Sequence, residues 1–367
     1  MRIAHLGSKG IPSKGGTERV VEALVRQQAT AHDVTVYGST RVCRSGSVHG
    51  ARVVAVPTVG AKHAGPVLLQ LASAAHALLQ RYDVVHLHGS ENAFVAPVLR
   101  LRHPVVTTNH GPAYRREKWS GLARRLIRAV ETLSVVGASA ATAVAKNQAD
   151  QLTARYGRRV VYVPNGVSLD ESPDDQAAAR ILEDIGVSPG TYWMFAAARV
   201  DPTKGCHTLL EAHAACGDSR PLLVVGDLYH APGYEDSLKR IAAENVRFIP
   251  RLDDKRALLG LLHQARLFVF PSTVEAMSMM LLEAVALGVP TIASDIPENL
   301  NVLPEDFPTF KADDARDLAR VLTDMSTKTP GDLRNTAEAA RDWVRERFRW
   351  DVIAAEYENV YRSVSRV

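Results

Sequence analysis

Short apolar runs that stop at a glycine, a proline or a polar pair recur along the chain, and most are followed by a stretch with apolar residues at helical spacing. Arg2–Leu6, Val34–Tyr37, Val53–Val56, Asp83–Gly89, Val105–Thr108 and Val160–Val163 read as strands in the first half. Tyr192–Ala198, Leu222–Gly226, Val246–Pro250 and Leu267–Pro271 read the same way in the second. Between them, Thr17–Gln28, Leu68–Leu79, Ala177–Ile185, a stretch through Leu209 to Ala215, Lys255–Gln264 and the tail from Ala315 carry helical periodicity. The first of these shows the rule: Val20, Val21, Leu24 and Val25 form a buried stripe, and Thr17 or the glycine before it can cap. Buried strands alternating with amphipathic helices predict an α/β protein with parallel sheets.

A length of 367 residues, 46% hydrophobic and 23% charged, predicts two or three ordinary globular domains. Cys43, Cys206 and Cys216 form no CxxC pair, which argues for a reducing compartment and against disulfides or structural zinc. No apolar run approaches the roughly 20 residues of a membrane span, so a cytoplasmic protein is expected, with any membrane contact peripheral. The net charge of +4 hides a split: residues 1–168 hold 22 Lys/Arg against 8 Asp/Glu, and the rest hold 22 against 32. Separate domains follow, the basic one suited to an anionic partner. Without a nucleic-acid motif, a membrane surface or a phosphate-bearing acceptor fits better than nucleic acid.

Several positions carry candidate chemistry. Glu275 falls in the loop after the strand Leu267–Pro271, and Glu283 eight positions on along the following helix, up to about 12 Å away. Two carboxylates so spaced around a helix N-terminus suit an extended phosphate-bearing ligand; two solvated glutamates flanking a crossover helix suit the pattern as well. Gly15-Gly16 before the first helix would let backbone amides approach a ligand and makes positive φ available, with Lys14 and Glu18 nearby. No GxGxxG dinucleotide fingerprint occurs there. His86 and His88 share a strand face, but no carboxylate or cysteine close in sequence completes a metal site, so bonding to backbone groups at the strand end is expected. His110 follows Val105–Thr108, at the strand end where open α/β sheets bind ligands, and can donate a hydrogen bond to a ligand. Arg115, Arg116, Lys118, Arg124, Arg125 and Arg128, interleaved with Trp119, Leu122, Leu126, Ile127 and Val130, suggest an amphipathic helix. That helix is either a membrane-interface element or a solvated basic helix packed on its own domain. Pro164-Asn165-Gly166 reads as a turn. Arg199 and Lys204 sit five apart in a Gly/Pro loop before a helix, a spacing able to clamp a diphosphate.

Pro271-Ser272, Glu275, seven residues, Glu283-Ala284, then Leu287 through Asp295 resembles the donor-site signature of the retaining nucleotide-sugar glycosyltransferases of family 4. The resemblance covers nearly the whole chain. It implies the GT-B fold: two Rossmann-like domains facing across a cleft, here 1–168 (acceptor) and 169–349 (donor), with a closing helix at about 350–367 that crosses back to the first domain. It implies sugar transfer from a nucleoside diphosphate to an acceptor hydroxyl, anionic or lipid-linked, in polysaccharide, glycolipid or glycoconjugate synthesis. By the same resemblance, Glu275 contacts sugar hydroxyls, Glu283 the ribose, and Arg199, Lys204 and the amides around Ser278, Met279 and Met280 the diphosphate. Gly15 and Gly16 border the phosphates, His110 lies near the anomeric centre, and Arg251 and Leu252 sit at the nucleobase. No DxD triplet occurs, so neither a divalent metal nor another cofactor is expected. Ala276-Met277-Ser278 departs from the family's usual aromatic and glycine, which bears on amide geometry and sugar preference. A nucleotide-sugar 2-epimerase of the same fold and a non-catalytic nucleotide-binding module are the alternatives.

Overall fold

The computed structural model describes every residue except 13–14, 59–63, 112–120, 169–170, 230–232 and 366–367; side chains 64 and 121–127 are also outside the description. The chain divides into two compact units, Met1–Gly166 with Phe348–Val367, and Val167–Arg347. No helix among the described residues is long and apolar enough to cross a membrane.

The first unit is built on eight strands: β1 (Arg2–Leu6), β2 (Asp33–Ser39), β3 (Gly46–Val48), β4 (Ala51–Val56), β5 (Val84–His88), β6 (Val105–Asn109), β7 (Ala140–Ala143) and β8 (Val160–Tyr162). Their order is β3-β4-β2-β1-β5-β6-β7-β8, parallel except for the β3–β4 hairpin. The chain builds outward from β1 on one side, then returns to add β5 on the other. This reversal opens a crevice at the carboxyl ends of β1 and β5, where sheets of this kind bind ligands. The second unit has β9 (Trp193–Arg199), β10 (Leu222–Asp227), β11 (Val246–Ile249), β12 (Leu267–Phe270), β13 (Thr291–Ser294) and β14 (Thr309–Phe310), all parallel, in the order β11-β10-β9-β12-β13-β14. Its reversal falls between β9 and β12. The expected α/β class therefore holds in both units.

Periodicity located the helices well where one face is apolar. The helix Gly16–Gln28 buries Val20, Val21, Leu24 and Val25 as read from the sequence, but its cap is Gly15, without a side-chain bond; Thr17 lies inside. Helices at Lys255–His263 and Met279–Ala286 start on Asp254 and Ser278, whose side chains accept first-turn amides. The short strands β7, β13 and β14 were not separable from loop by pattern, because alanine and threonine carry little hydrophobic contrast.

Pro164-Asn165-Gly166, read as a turn, instead lies in a stretch with no turn or bend, and Gly166 has no positive φ. Glycine is needed for space: a Cβ at 166 would stand 2.5 Å from the Trp350 ring. Trp350 opens the last helix, Trp350–Val364, which belongs to the first unit and packs there on the helix Gly16–Gln28 and on β6. Tyr357 and Tyr361 on this helix are fully buried.

Candidate active site

The loops after β9 and β12 flank the reversal of the second sheet. After β9, Asp201 accepts from the Thr203 amide, a 3-10 turn Pro202–Lys204 follows, and Gly205 closes it at φ 66°. A Cβ on Gly205 would meet the Pro271 carbonyl oxygen at 2.0 Å, so only glycine lets this loop lie against the end of β12. The Thr273 amide then donates to the Thr203 carbonyl at 2.8 Å, fastening the two loops. Their side chains meet as well: Lys204 Nζ donates to Glu275 Oε1 at 2.6 Å, with the carboxylate side chain 12% and the ammonium side chain 25% exposed. Arg199 is the last residue of β9 and is exposed.

Glu283 is not solvated. It is 3% exposed on the helix Met279–Ala286, and Lys255 Nζ stands 3.1 Å from its Oε1 and 2.9 Å from Glu171 Oε2. The 3.1 Å contact compensates charge without the angles of a hydrogen bond, and no donor among the described residues satisfies either Glu283 oxygen. A buried carboxylate in that condition has acceptor capacity suited to a ligand hydroxyl. Lys255 and Glu171 were not singled out in the sequence; a cation beside an acidic helix residue on another segment leaves no local signature. The helix begins only at Met279, so about 6 Å of the expected separation from Glu275 runs along its axis. Ser278 is its N-cap, its hydroxyl accepting from the Leu281 amide at 3.3 Å, and the Met279 and Met280 amides open the first turn. Arg251, 3.7 Å from Asp253, and half-buried Leu252 follow β11, three strands from β12. A cavity of about 130 Å³ in this unit lies away from these loops, lined by Leu267, Thr291, Phe307 and Met325 at the amino ends of β12 and β13.

In the first unit, neither Gly15 (φ −109°) nor Gly16 uses positive φ. A Cβ on Gly15 would strike Glu18 Oε2 at 2.1 Å, whereas one on Gly16 would meet nothing within 4 Å. Gly15 thus makes room for Glu18, whose Oε1 accepts from the Lys9 amide at 3.2 Å. Lys14 lies outside the described residues, as do Arg115, Arg116 and Lys118. Arg124 and Arg125 lie on the helix Gly121–Val136 with undescribed side chains, and Arg128 is exposed. Glu131 of that helix turns inward to Arg155 at 3.1 Å, and burial raises its pKa against the pull of the arginine.

His86 and His88 do not bond to backbone at a strand end, as had been expected. Parallel register sets His5 of β1 beside His86; His5 and His88 bond to each other, and His86 bonds to neighbouring hydroxyls. His5 Nδ1 lies 3.0 Å from His88 Nε2, and His88 Nδ1 lies 3.2 Å from His110 Nε2. His86 lies 2.7 Å from the Tyr361 hydroxyl and 2.6 Å from Thr108 Oγ1. One nitrogen of each of His5, His86 and His88 falls within 4.8 Å of the others, close enough to suggest a metal site. Both nitrogens of each ring already have hydrogen-bond partners. The missing third histidine was 81 residues away in sequence and adjacent only across the sheet.

Comparison with known proteins brings these observations together. Residues 14–171 match the family model described as Glycosyltransferase Family 4, and 179–343 match Glycosyl transferases group 1. The chain is 27% identical over 339 residues to the phosphatidyl-myo-inositol mannosyltransferase of Mycobacterium leprae, covering 87% of this chain and 84% of that one. It is 30% identical over 318 residues to the D-inositol 3-phosphate glycosyltransferase of Streptomyces bingchenggensis, covering 78% and 67%. Among solved structures, the sucrose-phosphate synthase of Thermosynechococcus elongatus superposes with a TM-score of 0.79 at 20% identity, over 99% and 98% of the two chains. That likeness identifies the GT-B fold.

Proposed function

The chain belongs to glycosyltransferase family 4, and from that premise we propose that it moves a sugar from a nucleoside diphosphate to an acceptor hydroxyl, retaining the anomeric configuration without a divalent cation. The observation that carries this reading is the Lys204–Glu275 pair, held at 2.6 Å by two loops that only the β9/β12 reversal brings together. As the glycosidic C–O bond breaks, the diphosphate takes the electron pair and the sugar becomes cationic. Lys204, Arg199 and the first-turn amides of the helix Met279–Ala286 supply fixed positive charge for the leaving oxygen. Glu275 aligns sugar hydroxyls while its charge is balanced by Lys204, which makes it a poor nucleophile; the acceptor oxygen bonds to the anomeric carbon on the face the diphosphate leaves and passes its proton to the departing phosphate oxygen, which accounts for retention. Glu283 accepts from the ribose, with Lys255 compensating its charge. Arg251 and Leu252 face the base. His110, at the end of β6, bonds to a substrate hydroxyl.

The acceptor in this reading is anionic. The basic excess of residues 1–168 supports it, as do relatives named for phosphatidyl-myo-inositol and inositol 3-phosphate. Peripheral contact with anionic lipid through the basic segment that includes Arg128 follows from the same charge. Arg199→Ala and Lys204→Ala should each lower kcat about 10²- to 10³-fold, read with whichever UDP-, GDP- or dTDP-sugar raises the melting temperature. Unchanged kcat in both variants overturns the assignment, and loss of turnover in EDTA overturns the cation-free route. An inverted product anomer overturns retention.

A further inference from the structure

The helix Ala64–Leu78 wears its apolar side outward. At about 100° per residue, Val67, Leu68, Leu71, Ala72 and Ala75 fall on one arc of about 140°, and Leu79, just past the helix end, continues it; all six are exposed. The face packed on β1, β2 and β4 buries Leu69, Ala74 and Ala77, but also Gln70 and Ser73. Gln70 Nε2 finds no partner there among the described residues. The solvent side is therefore more apolar than the core side, the reverse of an ordinary surface helix. Such an arrangement costs desolvation inside and leaves leucines in water outside; an apolar medium against the outer face removes the second cost. The patch continues onto the neighbouring helix Ala96–Leu99, where Val98 is exposed, and onto Leu101 beyond it. No Asp or Glu occurs at positions 34–82 or 92–116, while Arg81, Arg100 and Arg102 stand exposed beside these apolar segments. The helix Gly121–Val136, which carries Arg128, packs on the same 3-10 segment, Ser90–Val95, as the helix Ala64–Leu78 does.

We propose that this face seats in the interfacial layer of an anionic bilayer, with Val67, Leu68, Leu71 and Leu79 at the acyl boundary and Arg81, Arg100 and Arg102 at lipid phosphates. Three features select lipid over another protein. The exposed arc has no side-chain donor or acceptor to fix a register, and neither the aromatic residues nor the methionines in which protein interfaces are rich. A second copy paired about a two-fold axis would bring this acid-free, arginine-flanked surface against itself, with no carboxylate to meet the arginines. An apolar strip with only cations beside it matches a surface that is hydrocarbon below and phosphate above. The inference rests on the peripheral contact proposed above and supplies its apolar part.

The test measures co-sedimentation of the full-length protein with phosphatidylcholine vesicles, with and without phosphatidylserine. Leu68 and Leu71 are 44% and 48% exposed, so their free surface together approaches one leucine side chain. The double variant Leu68→Gln, Leu71→Gln should therefore weaken partitioning about 10- to 100-fold at an unchanged melting temperature. Leu71→Trp should add emission, read as the difference from wild type, that shifts blue on vesicles and is quenched by brominated acyl chains. Arg81→Gln with Arg102→Gln should reduce the preference for phosphatidylserine. Unchanged partitioning of the glutamine variant, or added emission left unquenched on bound vesicles, overturns the proposal, while the membrane reading then stands on the basic segment alone. A wild type that sediments with neither vesicle sinks both. A wild-type dimer that the glutamine variant dissociates at sedimentation equilibrium assigns the face to a second copy and overturns the lipid.

Discussion

Lowering the pH from 7.5 to 5 should destabilise the first unit steeply, because three interior imidazoles cannot take up the protons that the unfolded chain would bind. Burial lowers the pKa of His5 from 6.5 to about 4, outweighing the opposing hydrogen bond to Gln28. Burial holds His86 and His88 well below the ordinary value, with neighbouring imidazoles adding to the effect. The groups facing the cluster are the Gln28 amide, His110 and the hydroxyls of Thr108, Tyr357 and Tyr361. A folded pKa below the unfolded one means that the unfolded state binds more protons in between. The stabilisation is therefore complete above pH 6.5 and is lost as pH falls toward about 4. Between pH 7.5 and 5, His5 alone accounts for about 2 kcal/mol, and His86 and His88 for about 2 kcal/mol each while they stay neutral. That total rivals the whole stability of many domains. Urea titration at a series of pH values, with hydrogen exchange of β1 and β5 amides as readout, isolates this unit from the second. His5→Gln should flatten the pH slope by about 2 kcal/mol whatever it does to stability at pH 7.5. A wild-type slope near zero, or an unchanged slope in His5→Gln, refutes the reasoning.

The remaining expectations concern the second unit and the chain crossing. Glu283→Gln removes the compensating charge beside Lys255 and weakens an acceptor for the ribose, so donor Kd by calorimetry should rise about tenfold; unchanged affinity would remove Glu283 from the donor site. Gly166→Ala drives a methyl into the Trp350 ring and should cost about 1–3 kcal/mol in thermal unfolding. Most of that should be recovered in the double variant with Trp350→Leu, and additive losses would count against the contact. Vesicles containing phosphatidylserine should sediment the protein at low salt and release it at high salt; salt-independent binding, or none, argues for a basic helix that is merely solvated.

Periodicity, turn residues and motif order determined the α/β class, the main strands and helices and the loops that hold Lys204, Glu275 and His110, because these depend on residues close together in sequence; Arg199, read as part of such a loop, is instead the last residue of β9. Register and strand order decided the rest. Glu283 looks like any helix glutamate until Lys255 and Glu171 converge on it, and Gly166 looks like a turn glycine until Trp350 returns from the end of the chain. His86 and His88 lacked a third partner because His5 becomes their neighbour only when β1 and β5 pair in parallel. A side chain's own chemistry is written in the sequence, but its protonation and partners depend on burial and on contacts that only the folded sheet creates.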